Sequence, residues 1–228
     1  MEIFGALGEP VQRNSETILF GHLVGASLYT WQEAGIGFFL GSVIGITLAT
    51  IFVHFRFAER AFTPYVVASQ AVPIVVIAPI LVVAFGQGLT SVVIVTTYLT
   101  FFPVTIAEMR GLRSPDPHSL ELMRSYAASR FDIWRKLCLP ASVPYLFTAL
   151  KIAAVASIAD AIIGEGPGGI QAGLGRAIIV FFQAYVTAPE KLWATIFAAA
   201  AAVTGIVFFM IVRLAEIVYV RRAGQTEV

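Results

Sequence analysis

Long apolar runs separated by short polar stretches dominate the chain. Five runs approach the ~20 residues that a helix needs to cross a bilayer. They predict membrane spans near residues 34–53, 66–85, 90–107, 145–163 and 192–212. Residues 17–31 mix apolar and polar positions, which predicts an interfacial amphipathic helix leading into the first span. The pattern predicts an all-α membrane protein with one transmembrane domain at 17–222 and polar tails at 1–16 and 223–228.

The composition agrees with a membrane protein and excludes several other classes. Of 228 residues, 58% are hydrophobic and 13% charged, with a mean hydropathy of +0.83. Soluble domains carry about 25% charged residues. A single cysteine, Cys138, excludes an internal disulfide, and three histidines give no metal-ligand pattern. Because no GxxxxGK[ST] phosphate loop and no nucleophile–base arrangement is present, we expect neither an enzyme nor a cofactor in this chain.

Small residues and prolines mark special positions inside the predicted spans. Gly37, Gly41 and Gly45 stand four apart, a spacing that lets helices approach closely. Pro73 and Pro79 interrupt the second span, where each frees backbone carbonyls at a cost of about 3 kcal/mol or more. Backbone carbonyls freed in this way are tolerated in a membrane where a neighbouring helix or a water-filled cavity satisfies them. A kinked, buried helix and a pathway-lining helix therefore both fit this segment.

Two carboxylates lie near the outer end of the fourth span. Asp160 is inside the span, where an acid is costly and suggests function. A hydrogen-bonded structural acid near the outer interface is the equal alternative. Glu165 lies in the segment 164–169, which formally matches GxGxxG but follows a membrane helix rather than a strand, so we interpret it as a flexible outer loop. Residues 174–185 predict a short re-entrant or interfacial helix.

The loop at 114–142 is a charged island in this apolar chain. Asp116 and Pro117 predict a helix N-cap followed by proline at the first helical position. Ser129 with Asp132 resembles a capping box, so a second short helix is expected after a tight turn near 127–129. Pro140 and Pro144 then mark the entry into the fourth span. The loop is predicted to be two short helices outside the bilayer.

Basic residues set the expected orientation. Most arginines and lysines, above all those between Arg110 and Lys136, fall on the side of the charged loop. The positive-inside rule then places this loop and the C-terminus in the cytoplasm and the N-terminus outside.

The stretch ELMRSYAASRFDIWRKLCLP, Glu121–Pro140, resembles the "EAA" loop of ABC-importer permeases. That motif has a Glu, a Gly six residues on, and an apolar residue and Leu-Pro at its end. The corresponding positions here are Glu121, Ala127, Leu137, Leu139 and Pro140. Leu122 and Met123 replace the two alanines, and Ala127 replaces the glycine. The flanking Ala128-Ser129 and Leu139-Pro140-Ala141 resemble the nitrate/sulfonate/taurine-type branch.

The resemblance implies a type I permease fold and a set of partners. The chain would be half of a pore, most simply a homodimer, in the plasma (inner) membrane of a prokaryote. Two ATPase subunits would bind ATP and Mg, and an extracytoplasmic binding protein would deliver the solute. The coupling residues would be Glu121, Arg124, Ser125, Tyr126, Ala127, Ala128, Ser129, Phe131, Leu139 and Pro140. The pathway candidates are Pro73, Pro79, Asp160 and Glu165.

Other functions remain open at this point. A secondary transporter or channel would use Asp160 as part of an ion or proton relay. A non-transporting scaffold would explain the spans but not the loop spacing. Branch resemblance suggests a sulfonate, nitrate, bicarbonate, or a pyrimidine- or flavin-type vitamin precursor as the solute.

Overall fold

The computed structural model of the chain describes residues 18–168, 172–184, 189–203 and 206–224. Every regular element in those ranges is a helix, as the apolar pattern predicts. The helices are α1 (Leu19–His54), α2 (Arg56–Ser69), α3 (Ile74–Phe85), α4 (Leu89–Leu112), α5 (Pro117–Ser125), α6 (Arg130–Ile133), α7 (Leu139–Gly168), α8 (Leu174–Gln183), α9 (Pro189–Val203) and α10 (Ile206–Gly224). A π-helical turn, Trp134–Cys138, joins α6 to α7.

The first helix differs from the prediction. We expected an amphipathic helix at 17–31 followed by a separate span at 34–53, but α1 is one continuous helix of 36 residues. No proline interrupts the sequence from residue 18 to 54, so nothing stops the helix between the two segments. At 1.5 Å per residue α1 is about 54 Å long, well beyond the ~30 Å hydrocarbon core.

Helices α1, α4 and α7 form the packed centre of the molecule. The predicted small-residue face of α1 is confirmed, because Gly37 lies against Thr96, Gly41 against Thr100 and Gly45 against Val104. A larger buried apolar cluster lies where the start of α1, the end of α7, α8 and α9 meet. Its members include Leu23, Ala26, Ile158, Leu174, Phe181 and Leu192.

The predicted second span is broken rather than merely kinked. Helices α2 and α3 meet at an angle of 98°, with residues 70–73 between them. Pro73 is the N-cap residue of α3 and has an extended backbone. Its ring disfavours a helical conformation at the preceding residue, and it has no N–H to continue the hydrogen bonds of a helix, so the break falls here. Of the two alternatives, burial of this segment is not provided by the single chain. In α2 no residue is buried, and in α3 only Ala78 is.

The end of α7 also corrects a prediction. We expected the fourth span to end at residue 163 and a flexible loop to follow, but α7 continues to Gly168. Gly164 packs close to α4, where a Cβ would lie 3.2 Å from Val95 and 3.4 Å from Val92. This packing favours continuing the helix past the glycine. The expected short helix after it is confirmed as α8.

The described helices account for three or four of the five predicted spans. The helices α1, α4 and the continuous stretch Arg130–Pro167 are long and apolar enough to cross a membrane, and α2 with α3 adds a fourth if that bent pair is one span. The fifth prediction, 192–212, falls on α9 and α10. Residues 204–205 between those helices lie outside the described ranges, so the fifth span stays a prediction.

Candidate functional site

The charged loop begins with a capped helix, as its sequence predicts. The Asp116 carboxylate accepts a hydrogen bond from the backbone N–H of His118 at 3.2 Å, and Pro117 is the first residue of α5. The cap satisfies one of the N–H groups that a helix start leaves without an internal partner.

The tight turn between α5 and α6 places Ala127 in a left-handed conformation, with φ of +54°. The Ala128 N–H bonds to the Met123 carbonyl at 3.1 Å, and the Ala127 N–H bonds to the Arg124 carbonyl at 2.9 Å. This pair of bonds is a Schellman motif, whose left-handed position is usually glycine. The loop therefore keeps the backbone geometry of a glycine turn although Ala127 stands at the glycine position of the motif.

Ser129 caps the next helix, in agreement with the predicted capping box. Its hydroxyl oxygen accepts from the Asp132 N–H at 3.1 Å and donates to the Asp132 carboxylate at 2.5 Å. Asp132 in turn pairs with Lys136, one turn further on, at 3.1 Å. These local contacts define where α6 starts.

The junction with the long helix differs from the prediction of a separate second loop helix. The chain runs from α6 through the π-helical turn into α7 without a break. The Leu139 N–H bonds to the Trp134 carbonyl, five residues back, and the following Pro140 has no N–H to offer. Pro140 thus lies within a continuous helix, so the loop's second half and α7 form one stiff element.

Most predicted coupling residues lie on the surface of the single chain. Tyr126 is 78% exposed and Phe131 is 61% exposed, and Leu122 beside them is 58% exposed. Ala128 and Leu139 are half-buried, whereas the exposed members are Glu121, Arg124, Ser125, Ala127, Ser129 and Pro140. Exposed aromatic and aliphatic side chains in a polar loop are typical of a surface that meets another protein.

The loop contacts the membrane helices through an aromatic cluster. The Trp134 ring lies edge-on to His54 at the end of α1, with ring centroids 5.8 Å apart, and Phe131 lies 5.7 Å from Trp134. These rings border a groove of about 270 Å³, which also includes Thr50 and Phe55. The loop therefore contacts the end of α1 directly through these rings.

Two polar contacts connect helices at the end of the molecule that carries the charged loop. Glu108 of α4 is fully buried and accepts a hydrogen bond from the hydroxyl of Ser142 in α7 at 2.8 Å. Arg113 at the end of α4 binds Glu59 of α2 through two hydrogen bonds of 2.7 and 2.6 Å. The Arg113 guanidinium lowers the pKa of Glu59, and that carboxylate raises the pKa of Arg113.

The four pathway candidates have different surroundings. Pro73 and Pro79 are exposed, and Asp160 is half-buried in α7. Glu165 is fully buried, and its carboxylate accepts from the Thr30 hydroxyl at 2.5 Å and from the Gly175 N–H at 2.6 Å.

Sequence analysis did not single out Thr30, Glu33 or Glu216. Thr30 and Glu33 are fully buried in α1. Glu216 of α10 is half-buried and pairs with Lys151 of α7 at 2.8 Å. The uninterrupted helical pattern across residues 18–54 is the signal that would have placed Glu33 inside a long helix.

Solved structures with this fold are ABC transporters. The chain superposes on a chain of the inward-facing MetNI methionine ABC transporter with a TM-score of 0.70 and 18% identity, over 90% of this chain and 97% of that one. An amino acid ABC transporter with histidines gives a TM-score of 0.70 and 16% identity, over 86% and 94%. At these identities the likeness establishes the fold alone, which is the helical fold of type I ABC-importer permeases.

The family follows from the sequence match. Residues 41–219 match the family described as "Binding-protein-dependent transport system inner membrane component". The chain belongs to this family. The resemblance drawn from the charged loop is confirmed.

Curated relatives carry different transport names. The formylaminopyrimidine transport permease protein ThiX of Halalkalibacterium halodurans is 36% identical over 161 residues, or 71% of this chain and 62% of that protein. The riboflavin transport system permease protein RibX of Chloroflexus aurantiacus is 34% identical over 55% of this chain and 46% of its own length. The nitrate import permease protein NrtB of Leptolyngbya laminosa is 28% identical over 54% and 44%. Each match spans less than two thirds of the relative.

Proposed function

We propose that two copies of this chain form the translocation pathway of an ATP-driven importer for a small solute. Two ATPase subunits, which bind ATP and Mg, dock on the Glu121–Pro140 loop at the cytoplasmic side. An extracytoplasmic binding protein delivers the solute, and the complex resides in the plasma (inner) membrane of a prokaryote. The basic residues around the loop support this orientation, with the C-terminus cytoplasmic and the N-terminus outside.

The observation that carries the proposal is the construction of the loop. Its exposed apolar side chains, Leu122, Tyr126 and Phe131, lie on or at the end of two capped helices, α5 and α6, and α6 leads without a break into α7. The same segment contacts α1 through Trp134 and His54. A partner that moves this loop therefore moves two spanning helices, as coupling to an ATPase requires.

A second copy of the chain is supported by the exposed bent pair. Helices α2 and α3 bury almost nothing in the single chain, and the break at Pro73 leaves backbone groups that lipid cannot satisfy. A partner permease and a wet pathway between the copies supply the missing neighbours. Pro73, Pro79 and Asp160 remain the residues we assign to that pathway, with Glu165 at its outer end.

The solute class we test first is a nitrogen heterocycle related to vitamin precursors. Two relatives above 30% identity carry the names formylaminopyrimidine and riboflavin transport permease. Nitrate and aliphatic sulfonates are the next candidates, since they appear in the names of more distant relatives.

The test is purification of the chain from its native membrane in mild detergent. We expect an ATP-binding subunit in equal amount, and we expect Glu121→Lys to remove it. Glu190→Lys, the same charge reversal on α9 outside the loop, serves as the matched control and retains the subunit. Recovery of the chain alone from a preparation that transports solute on a proton gradient without ATP would refute the proposal and favour a secondary transporter that uses Asp160.

A further inference from the structure

A buried hydrogen-bonded site holds the start of α8 against α1 and α7. The Glu165 carboxylate accepts from the Thr30 hydroxyl and from the N–H groups of Gly175 and Arg176. The Thr30 hydroxyl oxygen also accepts from the Leu174 N–H at 3.0 Å. Thr30 and Glu165 therefore act as an N-cap supplied by two other helices, because the first N–H groups of α8 have no partner inside it.

Two glycines permit this approach. Gly173 packs against the Glu165 carboxyl group, and Gly175 packs against the carbonyl oxygen of Ile162, so that a Cβ at either position would overlap those atoms. Only a glycine brings the backbone N–H groups this close to a buried carboxylate. The two glycines therefore allow the backbone at the start of α8 to contact the Glu165 carboxyl group directly.

Glu33 is the unpartnered member of the site. It is fully buried one helical turn after Thr30, and neither of its carboxyl oxygens meets a hydrogen-bond donor among the described residues. The group within hydrogen-bonding contact of Glu33 is the Glu165 carboxyl. Two buried carboxylates in contact cannot both be ionised, because their repulsion adds to the cost of desolvating each charge. A proton between them removes the repulsion and completes a hydrogen bond.

Other groups at this end of the molecule do not replace that proton. The packed helices contribute the titratable or charged residues His22, whose ring contacts Phe181 on α8, and Tyr29, Asp160, Arg176, Glu190 and Lys191. The Tyr29 phenol interacts with both carboxyls but carries no positive charge. In the described part of the chain the Arg176 guanidinium makes no ion pair with either carboxyl, and its buried Nε has no acceptor. Helix α4 faces this region with Val92 and Val95.

We propose that Glu33 and Glu165 bind one proton between them, and that this proton latches the start of α8 onto α1 and α7. Glu33 carries the proton and donates to Glu165, which stays ionised and keeps its bonds to the α8 backbone. Loss of the proton places two charges side by side, and separation of α8 from α1 relieves their repulsion. The site is thus a proton-binding latch at the end of the molecule opposite the charged loop.

Infrared spectroscopy of the purified full chain tests the proton directly. We expect the carboxylic-acid C=O band at neutral pH to lose intensity in Glu33→Gln, an isosteric change that keeps a hydrogen-bond donor. Glu190→Gln on α9 is the matched control and leaves the band unchanged. An undiminished band in Glu33→Gln overturns the proposal, because the pair then holds no proton.

Cysteine labelling tests the latch. In a Cys138→Ser background, Ala177→Cys reports the buried side of α8, and Phe182→Cys reports an exposed position on the same helix. The ratio of their maleimide labelling rates is compared with the same ratio in Glu33→Gln, which has the same two thiols and so controls for their ionisation. We expect the ratio to rise with pH by about tenfold, a factor equivalent to 1.4 kcal/mol. In Glu33→Gln it stays low and flat, whereas an equal rise in that variant overturns the latch.

Both measurements use the isolated chain, without ATPase, binding protein or solute. Their outcome is therefore independent of whether the proposed coupling to an ATPase is correct. If the purification experiment fails and the infrared and labelling results hold, the latch stands on its own.

Discussion

The glycine face of α1 allows a quantitative test of how closely the membrane helices pack. In Gly41→Ala the new Cβ would lie 2.7 Å from the Thr100 Cβ and 2.8 Å from the backbone oxygen of Thr97. Favourable carbon contacts lie at about 3.5–4.0 Å, so α1 and α4 must separate. A backbone oxygen cannot rotate away as a flexible side chain can. Overpacking of this kind costs about 1–3 kcal/mol.

The control for this test lies in the same helix. Gly25 has open space around its Cβ position, so Gly25→Ala adds a methyl group without a clash. Both variants gain the ~1 kcal/mol by which alanine exceeds glycine in helix propensity. The difference between the two variants therefore isolates the clash and equals about 1–3 kcal/mol of unfolding free energy.

The assay is thermal unfolding of the detergent-solubilised chain, followed by circular dichroism. For a chain of this size, 1 kcal/mol corresponds to about 2–4 °C in Tm. We expect Gly41→Ala to melt at least about 2 °C below Gly25→Ala, given that conversion. Equal melting temperatures would refute the reasoning, because they would mean that α1 and α4 do not approach at Gly41.

Two further predictions concern the end of the molecule that carries the charged loop. Ala127→Gly should raise Tm, because a left-handed alanine costs about 1–2 kcal/mol and the extra chain entropy of glycine offsets only about 0.5–1 kcal/mol of it. Ala128→Gly is the control and should lower Tm. Glu59→Gln should cost about 0.2–1 kcal/mol, since the pair with Arg113 is partly exposed. Because Arg113 lowers the Glu59 pKa, this difference is full above the ordinary glutamate pKa and disappears as pH falls through the lowered value. If the stability difference between the wild type and Glu59→Gln did not change with pH, the predicted ion pair between Glu59 and Arg113 would be contradicted.

The loop was predictable because its structure is local. The Asp116 cap, the Ser129 cap and the turn at Ala127 depend on residues within a few positions of each other, and all three appear in the structure. The break at Pro73 was predicted only as a kink. A proline shows where a helix weakens, but the angle between the two pieces depends on what packs against them.

The buried acids were not predictable in the same way. Glu33 and Glu108 adjoin the ends of apolar runs, where a carboxylate ordinarily meets water. Their burial arises because residues far away in sequence cover them, Glu165 for the first and Ser142 for the second. No periodicity within α1 or α4 carries that information.

The sequence by itself determined the class of protein, the approximate positions of most spans and the two capped helices of the charged loop. Hydrophobic length, capping residues and small-residue spacing act over one helix or one turn, so they can be interpreted before any fold is known. Only the tertiary structure decided that α1 is a single long helix packed on α4, that the second span bends by 98°, and that Glu33 meets Glu165. The physical reason is that burial and pairing of charges depend on contacts between distant segments, and those contacts exist only once the helices have packed.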